Sequence, residues 1–345
     1  MKEVYILAAQ HISAQSPLCE EWMDNPLFYD EPYVRAIDPD YKRHFAPNTA
    51  RRLGKILKRA LLTSQQVMQT SGISHPDAII TGTGLGCIEN TEFFLNALTY
   101  EGEELLKPTY FMQSTHNTIS SLIAIDTHCC GYNSTYSHKG ISFECALLDA
   151  FVQLKNGEIQ TALVGAHDEM TPSYFKLLKR IGYLGHAVNG FGSETALALM
   201  LAGTPQEEPL CRLRGIEIRY GTDREELRQA FGSFLQRTSS SLDEIDAVMI
   251  GTNGQPSNDK IYAEICPVLF PSQRLIRYKH LFGESYTAPG LGLYAAAVCL
   301  YRKRIPAHLR IDTPSTEQRG VKHILLYNQF ENKNHSFILL SSCGK

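Results

Sequence analysis

Short, wholly apolar runs alternate with longer amphipathic stretches along the chain, and the order of the two patterns repeats. The run at 4–9 reads as a buried strand. Over 47–70, Leu53, Ile56, Leu57 and Leu61 recur at helical spacing, while Arg52, Lys55, Lys58 and Arg59 fall off that face, which predicts one amphipathic helix. A strand at 78–83 leaves through the turn GTGLG at 82–86. A helix follows over about 117–125, then a short strand near 133–136. The next helix, 142–155, is closed by Asn156-Gly157, a good C-terminal stop. Strands at 161–164 and 196–201 complete the first set. Beyond the turn TPQEEP at 204–209 come a strand at 211–219 and a helix at 224–236 with Glu225 and Glu226 in its first turn. Strand 247–251, helix 259–269, strand 275–278, helix 288–301 and strands 323–328 and 336–340 end the chain. Each half reads β-α-β-α-β-α-β-β. The pattern predicts a duplicated α/β fold with halves 1–205 and 206–345 in one compact unit, although the halves share no obvious identity.

Composition narrows the function classes. The chain has 345 residues, 43% apolar and 20% charged, enough for a sizeable core. Thirty-three Lys and Arg against thirty-six Asp and Glu leave a net charge of −3, which offers no basic field for nucleic acid or anionic lipid. The longest apolar stretch, 288–301, is too short and too rich in glycine to span a bilayer, and the N-terminus lacks a small-residue cleavage pattern. Nine cysteines, an odd number, point to reduced thiols in a cytoplasm rather than to a disulfide framework. Cys129–Cys130 has no second cysteine pair or histidine cluster at zinc-ligand spacing, so no metal is expected.

The glycine-rich turn GTGLG lacks the third glycine of a dinucleotide fingerprint, because Ile88 and Glu89 follow Cys87. Its glycines read as a tight exit from a buried strand. No phosphate loop ending in GK[ST] and no GxSxG elbow occurs. No cofactor is expected.

The segment 108–169, PTYFMQSTHNTISSLIAIDTHCCGYNSTYSHKGISFECALLDAFVQLKNGEIQTALVGAHDE, resembles the nucleophile region of the β-ketoacyl synthases, condensing enzymes of the thiolase superfamily. Asn117 matches the Asn of the family's first helix here, Gly131 and Asn133 its strand entry, and Thr135 the strand. Gly157 and Gly165 lie 17 and 25 positions past Gly140, as the family's glycines do past its cysteine, and Asp168 falls on the acidic position of the following turn. The run NTARRLGKILKRALLTSQQVMQTSGI is similar to the family's first helix. The resemblance is dense over 47–202 and thin beyond it. It implies the thiolase-like fold, layered α-β-α-β-α, in agreement with the duplicated element order.

Decarboxylative condensation needs a thiolate at a helix N-terminus, two histidines, and amides forming an oxyanion hole. By the resemblance the nucleophile position is Gly140, which cannot be acylated. The HGTxTP motif resembles the run from Ile250 through Thr252 to Pro256, with Ile250 in the histidine's place. The KxxxGH motif resembles 279–284, where Lys279 is kept and Glu284 replaces histidine. The terminal NSFGFGG loop resembles 328–334, keeping Phe330 as a gate and losing the glycines before Asn334. No reacting side chain is intact. Cys145, five residues past Gly140, reads as a packed core thiol.

His116, Asn117, His138, Thr252, Lys279, Phe330, Asn334 and His335 are the candidate pocket residues; His167 and His280 also border the site in the family. Lys279 with Glu284 would either move protons or neutralise each other in a filled pocket. The first reading is a non-catalytic partner of an active ketosynthase, working like a chain-length factor in fatty acid or polyketide-type biosynthesis. Aryl polyene assembly is a guess by analogy. The alternatives are an acyltransferase or decarboxylase using recruited His and Glu residues, or a structural homodimer. The expected partners are a second copy or an active ketosynthase, paired through the strand at 133–136, and an acyl carrier protein.

Overall fold

A computed structural model describes residues 2–100, 102, 106–184, 190–206, 208–221, 223–311 and 318–343. The first half runs β1 (Val4–Ile12), α1 (Pro47–Arg52), α2 (Lys55–Ser71), β2 (Ala78–Gly82), α3 (Ile88–Tyr100), α4 (Pro108–Ser114), α5 (Thr118–Thr127), β3 (Tyr132–Tyr136), α6 (Ser142–Asn156), β4 (Thr161–Asp168), α7 (Pro172–Arg180) and β5 (Thr195–Ala202). The second runs β6 (Cys211–Tyr220), α8 (Arg224–Arg237), β7 (Ala247–Ile250), α9 (Pro256–Leu269), β8 (Leu275–Arg277), α10 (Lys279–Phe282), α11 (Ala288–Tyr301), β9 (Arg304–Ile305), β10 (Gln318–Arg319), β11 (His323–Phe330) and β12 (Asn334–Ser341).

Strand pairing supplies the evidence for duplication that sequence identity does not. The first half orders its strands β3-β2-β4-β5-β1, the second β8-β7-β11-β12-β6. In both, the first three strands are parallel and the last two pair antiparallel. The halves meet where β1 pairs antiparallel with β6, from Val4 opposite Leu213 to Ile6 opposite Cys211, giving one continuous sheet of ten strands. The boundary at 205/206 falls in the connection between β5 and β6.

Three apolar layers follow from the alternation of side chains along the strands. One face of the first half packs against α2 and α5, through Ile56, Leu57, Leu61, Ile119 and Ile123. One face of the second packs against α8 and α9, through Phe231, Phe234, Tyr262 and Ile265. The remaining strand faces enclose α6 and α11, giving the five-layer order expected. The central position of α11 explains its composition: every residue from Ala288 to Leu300 is buried, so no polar face is needed. Among the described residues no helix is long and apolar enough to cross a membrane.

The sequence reading needs four corrections. The helix expected over 47–70 is two, because Leu53 is extended and Gly54 starts α2 in an extended conformation. Arg59 does not lie off the apolar face: it is buried in an ion-pair cluster, its Nε 2.6 Å from Asp38 Oδ1 and its Nη1 2.9 Å from Glu194 Oε2. Helices α3, α4 and α7 occupy stretches that carried no helical assignment. Cys145 is half-buried rather than a core thiol, with its Sγ 3.4 Å from Nδ1 of the exposed His138. The C-terminal stop of α6 is as read, with Gly157 at φ 77°. All nine cysteines are free.

Candidate functional site

The connection from β3 to α6 holds Gly140 in place. Lys139 takes a positive φ of 49°, which turns the chain sharply. The His138 amide donates to Ser142 Oγ at 2.8 Å, and that hydroxyl donates to the Lys139 carbonyl at 2.7 Å. Gly140 therefore sits in the single turn leading into α6. It lines a cleft of about 300 Å³ whose wall also holds Asn253 after β7, Lys279 and Glu284 around α10, and Asn328 and Phe330 at the end of β11.

A side chain at Gly140 would meet the Phe330 ring unless that ring moved. A Cβ built there would lie 2.6 Å from Phe330 Cγ and 2.9 Å from its Cε2, inside van der Waals contact. Phe330 is braced in turn by Tyr286, the rings meeting edge to face with centroids 5.9 Å apart. Tyr286 presses on the glycine-rich turn, where a Cβ at Gly84 would stand 2.6 Å from Tyr286 Cγ. The turn is thus a close approach of backbone to a ring. Its Gly84 amide donates to Asp168 Oδ1 at 2.8 Å, and the Thr287 amide before α11 donates to Oδ2 at 2.7 Å. Burial pushes Asp168 up to about 6, against the lowering effect of those bonds.

The charged groups beneath the cleft are paired. Lys279 Nζ lies 2.8 Å from Glu284 Oε2, with both side chains about 5% and 4% exposed. Asn253 Nδ2 donates to the same oxygen at 2.6 Å. Behind Gly140, Glu144 Oε1 accepts from Asn328 Nδ2 at 2.7 Å and from Ser336 Oγ at 3.1 Å, while Oε2 has no partner among the described residues. Full burial raises Glu144 to about 7, the bonds opposing it.

Of the residues expected at the site, the cleft gathers Gly140, Lys279, Glu284 and Phe330. Ile250 packs instead into the outer core beside Tyr262 and Tyr327. Thr252 has a buried hydroxyl without a partner among the described residues. His116 and Asn117 are exposed at the start of α5, and His138 pairs with Cys145. His335 is buried against Tyr327, whose hydroxyl lies 2.9 Å from Nδ1, and burial lowers its pKa. Asn334 closes the β11–β12 turn opposite Phe330. His280 is within 2.8 Å of the His308 carbonyl, and burial drops it to about 3. His167 is fully buried with neither ring nitrogen partnered among the described residues, and desolvation takes it to about 3. Asn253, Tyr183, Tyr286 and Glu144 complete the cleft and its support without having been singled out in the sequence. Only Glu144 left a signal there, as a carboxylate among the apolar positions of α6.

Residues 21–249 match the family described as beta-ketoacyl synthase, N-terminal domain. The chain belongs to that family. No curated protein matches it. Among solved structures, the ishigamide ketosynthase/chain length factor superposes with a TM-score of 0.85 at 18% identity, covering 99% of this chain and 100% of that one. A ketosynthase (ApeO) in complex with its chain length factor (ApeC) from Xenorhabdus doucetiae gives 0.80 at 15% identity, covering 99% and 98%. A type II PKS acyl-carrier protein in complex with its ketosynthase gives 0.79 at 14% identity, covering 99% and 100%. These likenesses establish the thiolase-like ketosynthase fold over the whole chain. Within that fold, the cleft beside Gly140 presents a glycine, a ring and a closed ion pair.

Proposed function

We propose that the chain is a non-catalytic beta-ketoacyl synthase relative that pairs with an active ketosynthase in the manner of a chain length factor. The observation that carries the reading is the Gly140–Phe330 contact: the position matched to the family's nucleophile has neither a reactive atom nor room for one. Glu284, matched to the second histidine, is bound by Lys279 and Asn253, and Ile250, matched to the first, faces the outer core. Three substitutions at separate places in the chain thus converge on one lost chemistry.

The pairing surface is argued from the sheet edge. Among the described residues strand β3 bonds only to β2, so its other edge offers N–H and C=O groups to a second chain. Next to it, α3, α4 and α5 pack on one another and leave Phe93, Leu95, Phe111, Met112 and Ile125 exposed, Met112 and Ile125 by 70% and 71%. So many apolar side chains on adjoining elements mark an interaction surface. The solved relatives named above include a ketosynthase with its chain length factor and a ketosynthase with its acyl-carrier protein, and both kinds of partner are proposed for this chain. Co-expression with an intact ketosynthase, followed by affinity purification and light scattering, tests the reading. A one-to-one complex supports it. A chain that stays monomeric with every candidate synthase overturns it.

One contact favours altered chemistry instead. His138 and Cys145 stand at hydrogen-bond distance at the entry of α6. Burial, and then the Glu144 carboxylate, push the thiol up to about 12, which leaves it a poor nucleophile near neutrality. An acyl group mapped to Cys145 would revive that reading.

A further inference from the structure

We infer that the cleft beside Gly140 is a binding site for a small, uncharged aromatic or conjugated ligand, and that it rejects anions. The inference rests on the non-catalytic reading and assigns the emptied cleft a ligand class. At about 300 Å³ the cleft stands at the lower end of small-molecule sites. Its apolar wall is flat and cyclic: Tyr183 and Tyr286 with centroids 6.0 Å apart, Phe330 edge-on to Tyr286, and Pro289, with Leu184 and Ile261 beside them.

The amide side chains of its polar wall are already engaged with one another and with their neighbours. Asn253 donates to Glu284, and its Oδ1 accepts from the Gln255 amide at 3.0 Å and Asn258 Nδ2 at 3.0 Å. Asn258 Oδ1 accepts from Gln329 Nε2 at 2.7 Å. Asn328 donates to Glu144 and accepts from the Tyr262 hydroxyl at 3.2 Å. Gln255 Nε2 donates to the Gly182 carbonyl at 3.1 Å. A ligand cannot recruit these groups without breaking bonds they make to one another. Among the described residues, Lys279 is the cation of the lining and is neutralised by Glu284, and the remaining charge is the exposed carboxylate Glu331 at the rim. An anion entering here would lose its hydration and find no compensating charge. An uncharged planar body meets rings instead.

The test uses two probes that differ by one charge, N-phenyl-1-naphthylamine and its sulfonated analogue 8-anilino-1-naphthalenesulfonate. Each is titrated by fluorescence into the full chain at pH 6, where Glu144 is mainly protonated. The cleft-bound component is defined by its loss in Ile261→Trp, which fills the cleft, and independently in Ser257→Trp should the first variant melt early. The neutral probe is expected to lose at least about tenfold in affinity in these variants, and the sulfonate to show no cleft component. Glu284→Gln unmasks the Lys279 ammonium and is expected to tighten the sulfonate by about tenfold or more, the factor that about 1.4 kcal/mol confers. Lys279→Met with Glu284→Gln removes both charges and should restore preference for the neutral probe. A sulfonate that occupies the native cleft as tightly as the neutral probe overturns the inference. So does a neutral probe indifferent to both filling variants. The titrations use the chain alone and the filling variants leave β3 untouched, so failure to pair with a synthase would sink the partner reading while charge selectivity stood, and the reverse.

Discussion

Gly140→Ala adds one methyl group at the point where the Phe330 ring already sits. The added Cβ would be 2.6 and 2.9 Å from two ring carbons, so either the ring rotates away from Tyr286 or the β3–α6 turn shifts. Overpacking of this kind costs about 1–3 kcal/mol. Phe330→Ala alone removes a partly exposed ring and should cost about 1–2 kcal/mol, less than the loss of a fully buried side chain. In the double variant the clash is gone. Its stability should equal that of Phe330→Ala, giving a coupling of about 1–3 kcal/mol between residues that touch. Urea unfolding followed by the fluorescence of Trp22, the single tryptophan, which is 1% exposed, measures all three. Additive effects, or a Gly140→Ala variant within about 0.5 kcal/mol of the native protein, would refute the steric argument.

The same pair gives a chemical readout. Gly140→Cys places a thiol at the entry of α6, where the helix N-terminus favours the thiolate. Behind Phe330 it should react slowly with iodoacetamide; combined with Phe330→Ala it should outpace Cys145, which is held near 12. Condensation should remain absent, since Ile250 and Glu284 supply neither histidine. A fast thiol in the single variant, with stability unchanged, would show that Phe330 swings aside freely.

Glu144 binds its proton more tightly in the folded chain than in the unfolded one, so its contribution is complete below about pH 4.5 and is lost as pH rises towards 7. The interval from 4.5 to about 7 corresponds to about 3 kcal/mol. Glu144→Gln should therefore gain on the native protein between pH 5 and 8 in denaturant titrations, and parallel pH curves would contradict the burial argument. Met112→Asp with Ile125→Asp should leave the melting temperature nearly unchanged, both sites being exposed, yet abolish association in light scattering; retained association would move the pairing surface elsewhere. Incubation with acyl-carrier thioesters should leave the intact mass unchanged, and an adduct at any of the nine cysteines would count against the non-catalytic reading.

Most of the fold was legible because its strands are buried on both faces and read as apolar runs, and because α6 and α11 lie in the centre. The bounds of α11 emerge as read, with Pro289 in its first turn and an apolar surface on all sides. Helix α3 shows why other elements were missed. Its buried residue is Asn90, while Phe93, Leu95 and Leu98 face outwards, so its periodicity does not report packing within this chain. Arg59 was misplaced for a related reason: a guanidinium held by Asp38 and Glu194 occupies a core position that apolar periodicity reads as surface. Gly140 was reachable through an ungapped spacing to Gly157 and Gly165. That Phe330 fills the space over it was not, since the two positions meet only through the folded sheet.

The ion pair at the base of the cleft constrains which substitutions the cleft tolerates. Lys279 and Glu284 are withdrawn from water, and a buried pair of this kind adds little net stability, because desolvation offsets most of the attraction. Removing one member is another matter: it leaves an uncompensated charge at a cost of about 3–5 kcal/mol. Glu284→His would take the carboxylate acceptor from both Lys279 and Asn253. A thiol at 140 collides with Phe330 until that ring is gone, and a histidine at 250 would enter a core built around an isoleucine. Each of these substitutions should therefore lower the urea midpoint by itself, and one that leaves it unchanged would show that its site is not tightly packed.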